Sequence, residues 1–226
     1  MIKLTYLGCT KLERVIYVGA EAVVGLGYYL GTRAIYKLRI PKPYRDPSLD
    51  KLIRSERTLN ESRILINSRR LNVNVPKLLL VDVTTSLIIM EYIEGKLLRD
   101  VLNTLDMSEV IRISYIVGKQ VGTLHKNSIV HGDLTTSNMI LGRDGNVYLI
   151  DFGLSKYSND LEDYGVDIHL FMRSLESVHH RLKDVILGHF LKGYEDVVGK
   201  EFREEVEDKV REIRLRGRYV EERRRR

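Results

Sequence analysis

Residues 129 to 155, IVHGDLTTSNMILGRDGNVYLIDFGLS, limit what this chain can fold into more than any other stretch. Asp133, Asn138 and Asp151 stand there among short apolar runs, and hydrophobic burial gives no reason for them. Asp and Asn favour loops, so each alone reads as a turn former. Their order says more: Asn138 follows Asp133 by five positions, and DFG begins at Asp151, eighteen positions after Asp133. The apolar runs between them read as a short β-hairpin region.

On the N-terminal side, some ninety residues read as strands around one helix. IKLTYLG, ERVIYVG, VVGLGYYLG and RAIYKLRI are β-branched or aromatic runs bounded by glycine or polar turns, and KLLLVDV and SLIIMEY follow, joined by a polar turn at Thr84 to Ser86. The intervening RDPSLDKLIRSERTLNESRILINSRRL has Asp46 as N-cap and Pro47 at the first helical position. Leu49, Leu52, Ile53, Leu59 and Ile66 supply its approximate helical spacing. After EYIEG the period changes. Ser108 to Lys126 carries Val110, Ile111, Ile113, Val117, Val121 and Leu124 on one face, with Gly118 and Gly122 placed to allow close packing, and three more helices are expected at 160 to 180, 182 to 197 and 200 to 214. The pattern predicts an α+β fold of two lobes, 1–92 and 93–213, with a hinge near 91 to 95 and a basic tail over 214–226.

Composition fits a globular chain: 226 residues, 43% of them hydrophobic, support a sizeable core. No stretch is apolar over the length a membrane helix needs, and the N-terminus lacks the pattern of a secretory signal, so the chain is read as cytoplasmic with no membrane partner. Cys9 is the only cysteine, which excludes an intrachain disulfide and leaves a buried thiol as the expectation. Of the net charge of +6, nearly all lies at the end: residues 211 to 226 hold eight arginines against three glutamates. Such a tail attracts polyanions through a salt-sensitive term, nucleic acid above all. His179, His180 and His189 lack an accompanying carboxylate pattern and read as surface or helix-end residues rather than a metal site.

The ordered set in HGDLTTSN and DFG fits phosphoryl transfer, in which one loop carboxylate orients the acceptor while a second Asp and an Asn offer hard oxygen ligands to Mg²⁺. The remaining parts of such a site are present upstream. Lys37 ends the run RAIYK, and Glu61 lies twenty-four residues on, inside the first helix, where it can pair with the lysine.

On these residues the chain resembles the protein-kinase superfamily and, more closely, the small atypical Ser/Thr kinases of the KEOPS complex, the PRPK-type family. GAEA at 19 to 22 is similar to that family's nucleotide loop, YKLRIPKPYRDPSLDKLIRSERTLNES to its lysine-to-helix segment, HGDLTTSN to its catalytic loop, and RGR at 216 to 218 to its basic C-terminal end. The resemblance implies a protein-kinase-like fold whose 1–92 lobe binds nucleotide and whose 93–213 lobe is catalytic. It implies ATP and Mg²⁺ as cofactors, with Gly19, Ala20, Glu21, Ala22 and Lys37 on the nucleotide and Glu91, Tyr92 and Ile93 as the hinge that receives adenine. Glu61 positions Lys37, Asp133 is the catalytic base, and Asn138 and Asp151 hold the metal. Asp167 in YGVDIHL is similar to the buried helix Asp that anchors the catalytic loop. As partners it implies the threonylcarbamoyl-transferase and other KEOPS subunits, and tRNA through Arg214, Arg216 and Arg218.

The chain departs from ordinary protein kinases at four points. VGAEAVVGLG replaces G-x-G-x-x-G and puts Glu21 in the nucleotide loop, where its charge needs a partner, a metal or an outward orientation. Gly132 stands where ordinary kinases carry Arg, which removes the usual reader of a phosphorylated activation loop. Thr135 stands where they carry Lys, and no A-P-E segment follows DFG. ATP hydrolysis, self-phosphorylation or action on one bound partner is therefore easier to accommodate than phosphorylation of free proteins. The competing readings are a small-molecule phosphotransferase of the choline or aminoglycoside type, a RIO-type kinase, and an RNA-binding pseudokinase scaffold.

Overall fold

The computed structural model describes residues 10–224, with side chains over 12–216. The expected strand IKLTYLG and the expected buried thiol of Cys9 lie outside the described residues. The chain forms two compact units, one made by residues up to Arg70 with Val75–Glu94, the other by Leu71–Asn74 with Gly95 onward.

The first unit is an antiparallel sheet of β1 (Thr10–Val18), β2 (Ala22–Tyr29), β3 (Thr32–Arg39), β4 (Leu78–Asp82) and β5 (Leu87–Glu91), in the order β1-β2-β3-β5-β4, with helix α1 (Pro47–Arg70) inserted after β3. Ala34, Tyr36, Leu87 and Ile89 form its buried apolar cluster. Central β3 fixes Lys37 between Val24 of β2 and Ile88 of β5. Asp46 caps α1 as expected, its Oδ1 accepting from the backbone N–H of Ser48 at 3.0 Å and of Leu49 at 3.1 Å. The inner face of α1 differs from the expectation. Leu49, Leu52 and Ile66 are exposed, whereas Thr58, Glu61, Ser62, Leu65 and Ser68 are buried. The helix is turned by what its polar side chains bond to, and the apolar count along its sequence does not set its orientation.

The second unit begins with β6 (Gly95–Leu97) and a short α2 (Leu98–Val101), then α3 (Met107–Lys126), β7 (Ile129–Val130), β8 (Met139–Gly142), β9 (Val147–Leu149) and β10 (Lys156–Tyr157). Helices α4 (Leu161–Val178), α5 (Lys183–Val198) and α6 (Lys200–Arg224) complete it. The α6 helix runs past residue 214, so the stretch expected as a separate tail continues a helix. Two small sheets, β6-β8-β9 and β10-β7, hold the polar stretch that contains Asp133, Asn138 and Asp151. Buried Val110, Ile113, Val117, Val121 and Leu124 of α3 supply the core, with Ile186, Phe190 and Tyr194 of α5 also buried in this unit. The approach of α3 to α5 is backbone-close: a Cβ on Gly118 would lie 1.9 Å from the Phe190 carbonyl oxygen, and one on Gly193 2.1 Å from that of Tyr115. Among the described residues no helix is long and apolar enough to cross a membrane.

Candidate active site

In the first unit, alternation along β3 sends Lys37 and Arg39 to the same side of the strand, and both reach α1. Lys37 Nζ donates to Glu61 Oε1 at 2.7 Å. Arg39 ion-pairs with the other oxygen of the same carboxylate and donates from Nη1 to Thr58 Oγ1 at 3.3 Å. All four side chains are buried, Glu61 with 1% of its surface exposed. A buried carboxylate is tolerated only when paired and hydrogen-bonded, and Glu61 has a cation on each oxygen.

The loop at Gly19 to Ala22 is a tight hairpin turn closed by the Gly19 N–H on the Ala22 carbonyl at 2.9 Å. Glu21, whose charge needed an explanation, bonds to Arg57 of α1, and that guanidinium holds its carboxyl below the ordinary range. At the end of β5, Glu91 bonds twice to Lys77: its N–H donates to the Lys77 carbonyl at 2.8 Å and its Oε2 accepts from the Lys77 N–H at 3.0 Å. The Tyr92 N–H donates to the Arg33 carbonyl at 3.4 Å, the Arg33 guanidinium lies 5.5 Å from the Tyr92 ring centre, and Ile93 is 9% exposed.

In the second unit the loop between β7 and β8 is held from below by a charge. Asp167 of α4 is fully buried, and its carboxylate accepts from the backbone N–H of His131 at 2.6 Å and of Gly132 at 2.7 Å. His125 Nε2 lies 3.3 Å from the same carboxylate and its Nδ1 2.9 Å from the Tyr194 hydroxyl. A neutral ring donating from Nε2 to Asp167 accepts from Tyr194 at Nδ1, so both nitrogens are satisfied. Burial pushes the Tyr194 pKa up, which keeps its hydroxyl a donor. Gly132 takes φ of +80°, and a Cβ there would lie 2.3 Å from the Leu154 carbonyl oxygen, so no side chain fits where ordinary kinases carry Arg.

Asn138 Nδ2 donates both to the Asp133 carbonyl at 2.9 Å and to its Oδ2 at 2.8 Å. With the amide nitrogen committed to Asp133, Oδ1 is the acceptor end of the Asn138 side chain. The Ile150 N–H donates to the Asn138 carbonyl at 2.9 Å, which sets Asp151 directly after a residue bonded to Asn138. Asp151 adopts φ of +60°, an uncommon conformation for a non-glycine residue, and its Oδ1 accepts from the Gly153 N–H at 3.2 Å. Phe152 is fully buried against the His131 ring, 4.6 Å between centres. Amide and carboxylate oxygens are hard donors, so Asn138 and Asp151 fit Mg²⁺ by ligand type.

Within each unit, then, the structure brings together Lys37 with Glu61, Glu21 with Arg57, and Asp133 with Asn138. Of the tail residues, Arg214 donates to Glu176 at 2.7 Å and Arg216 ion-pairs with Glu162, both on α4; the side chain of Arg218 lies outside the described residues. His179 ends α4 as expected but is buried rather than exposed, with Nδ1 2.8 Å from Asn103 Oδ1 and Nε2 3.2 Å from Thr136 Oγ1. Thr136 opens the turn that carries Asn138, and its hydroxyl takes the place of water as a partner once the ring is enclosed. Among the described residues no group of three or more His, Cys, Asp or Glu is arranged to hold a metal. Sequence reasoning missed the parts played by Arg39, Tyr194 and His179; only Arg39 carried a signal, its two-residue offset from Lys37 along a strand.

Residues 12–172 match the protein kinase domain family. The chain is 44% identical over 214 residues to the KEOPS complex subunit Bud32 of Pyrococcus abyssi, an alignment covering 92% of this chain and 97% of that protein. It is 40% identical to the "Probable bifunctional tRNA threonylcarbamoyladenosine biosynthesis protein" of Methanocaldococcus jannaschii and 38% identical to that of Methanothermobacter thermautotrophicus, spanning 37% and 36% of their lengths.

Proposed function

Because the chain belongs to the protein kinase domain family, in the branch of the KEOPS complex subunit Bud32, we propose that it is an ATP- and Mg²⁺-dependent Ser/Thr-type kinase that also hydrolyses ATP. Its biological setting is a KEOPS assembly that makes threonylcarbamoyl-adenosine in tRNA, a reading supported by the names of the relatives.

In this reading Lys37, oriented by Glu61, binds nucleotide phosphates beneath the Gly19–Ala22 turn, and Glu91 to Ile93 receive adenine. Asp133 accepts the proton of the attacking hydroxyl or water as its oxygen bonds to the γ-phosphorus and the bond to the β–γ bridging oxygen breaks, releasing ADP. Asn138 Oδ1 and the Asp151 carboxylate would hold Mg²⁺, which neutralises phosphate charge when bound. Arg57 keeps Glu21 from repelling phosphate. The observation that supports the reading best is the buried Lys37–Glu61 pair at 2.7 Å, a strand lysine enclosed against a helix carboxylate in the order phosphoryl transfer asks for.

With Thr135 where a lysine would stabilise the transferring phosphate, turnover by the chain alone is expected to be slow and a partner to raise it. The partners are the threonylcarbamoyl-transferase subunit and tRNA, with Arg214, Arg216 and Arg218 on the phosphates. Release of labelled phosphate from ATP, by the chain alone and with both partners, tests this. Asp133→Asn should lower turnover by roughly 10²–10⁴-fold and Asp151→Ala should abolish it, with circular dichroism unchanged. Equal turnover in both variants and the parent would remove the enzyme in favour of an RNA-binding scaffold.

A further inference from the structure

Glu61 is held by more than the lysine that the phosphoryl-transfer reading requires. Arg39 is 4% exposed, occupies the last position of β3, and spans one turn of α1 by touching Thr58 and Glu61 together. Residues three apart on a helix lie side by side, and only a planar guanidinium with several donors reaches both at once. Thr58 is itself fixed: it is fully buried and its hydroxyl donates to the Arg54 carbonyl at 2.7 Å. The grip is therefore on the helix as well as on the carboxylate, and it is independent of Lys37, which holds the other oxygen.

We propose that Arg39 is a positioning residue that fixes α1 and its Glu61 in the nucleotide-free chain, so that the Lys37–Glu61 pair stands assembled without a partner or a modification. In kinases where that pair is switched, movement of the corresponding helix makes and breaks it. Here Glu61 cannot leave without also breaking two contacts to Arg39 and stranding a buried guanidinium. Arg57 adds a further tie from the same helix to Glu21. Control of this chain then acts on other steps, acceptor access or product release, and not on α1.

The inference rests on the kinase reading for its meaning, but its test does not. Amide hydrogen exchange of the nucleotide-free chain reports the hold on α1 directly. Arg39→Met should speed exchange around Thr58 to Glu61 by about tenfold or more while leaving α3 protected, and Lys37→Met should leave α1 slow because Arg39 still holds Glu61. Arg39→Lys, which keeps the buried charge but gathers its donors on one nitrogen without the planar fork, should fall between them. Unchanged α1 exchange in Arg39→Met, or equal release by Lys37→Met, overturns the proposal. In ATP turnover, Arg39→Met should raise KM for ATP by about tenfold in the parent and little in a Glu61→Gln background, since it acts through Glu61. An equal rise in both backgrounds also overturns it. A parent chain that turns over no ATP removes the kinase reading and leaves the exchange result to decide this one.

Discussion

Asp167 places one negative charge under two backbone N–H groups and a histidine, and the loop bearing Asp133 rests on that arrangement. Asp167→Asn turns an amide donor toward at least one of those donors, so it should cost roughly 3 kcal/mol in urea unfolding, and a loss below about 0.5 kcal/mol would show that the loop is held by other means. His179 gives a pH dependence whose sign is fixed. Burial pushes its pKa below the ordinary value, so the unfolded chain takes up a proton near pH 6.5 that the folded chain refuses. Stability present above about pH 6.5 is therefore lost as pH falls, by at most about 1.4 kcal/mol per unit for this group. His169, whose pKa is also lowered by burial, adds its share in every variant. The difference in guanidinium midpoint between about pH 7.5 and 5.5 should shrink in His179→Gln, and an unchanged difference would assign the slope elsewhere. Lys37, Glu61, Asp133, Asn138 and Asp151 were legible as candidates because phosphoryl transfer asks for those residue types in that order. The pairings of His179 and Tyr194 were not, since their partners are 43 and 69 residues away and nothing local marks them.

Helices and strands were legible wherever apolar period and caps agreed. Asp46 begins α1 and the α3 stripe is buried apart from half-buried Ile111, while α1 itself was misjudged because its inner face is chosen by Glu61, Thr58 and their strand partners. The glycines of α3 and α5 separate packing from flexibility. Gly118→Ala must force a methyl into the Phe190 carbonyl and should cost about 3 kcal/mol, whereas a Cβ added at Gly188 of α5 would meet nothing within 4 Å, and Gly188→Ala should gain about 0.5–1 kcal/mol. Thermal midpoints shifted in the same direction by both substitutions would contradict this packing of α3 on α5. The short β10 strand pairs with β7 soon after Asp151, and Asp160 already caps α4, which is why no peptide-docking segment fits between them.

For the molecule as a whole, the arginine-rich end is divided by its partners. Arg214 and Arg216 are tied to Glu176 and Glu162, whereas Arg218 and Arg223 to Arg226 follow further along. Truncation after Gly217 keeps the two ion pairs and should flatten the dependence of log tRNA affinity on log salt by several units at about 0.9 per lost phosphate contact, or about 0.7 on single-stranded parts. An unchanged slope would place the RNA contacts elsewhere. The division into strand-rich and helix-rich units was legible in the sequence, but the continuation of α6 to Arg224 was not, because a basic, charge-dense stretch reads equally as coil. That continuation has a mechanical meaning. As a rod of about 37 Å tied by two ion pairs to α4, α6 joins the arginine-rich end to the helix that carries Asp167. The far end of that rod and the residue beneath the Asp133 loop are thus joined through one helix and two ion pairs.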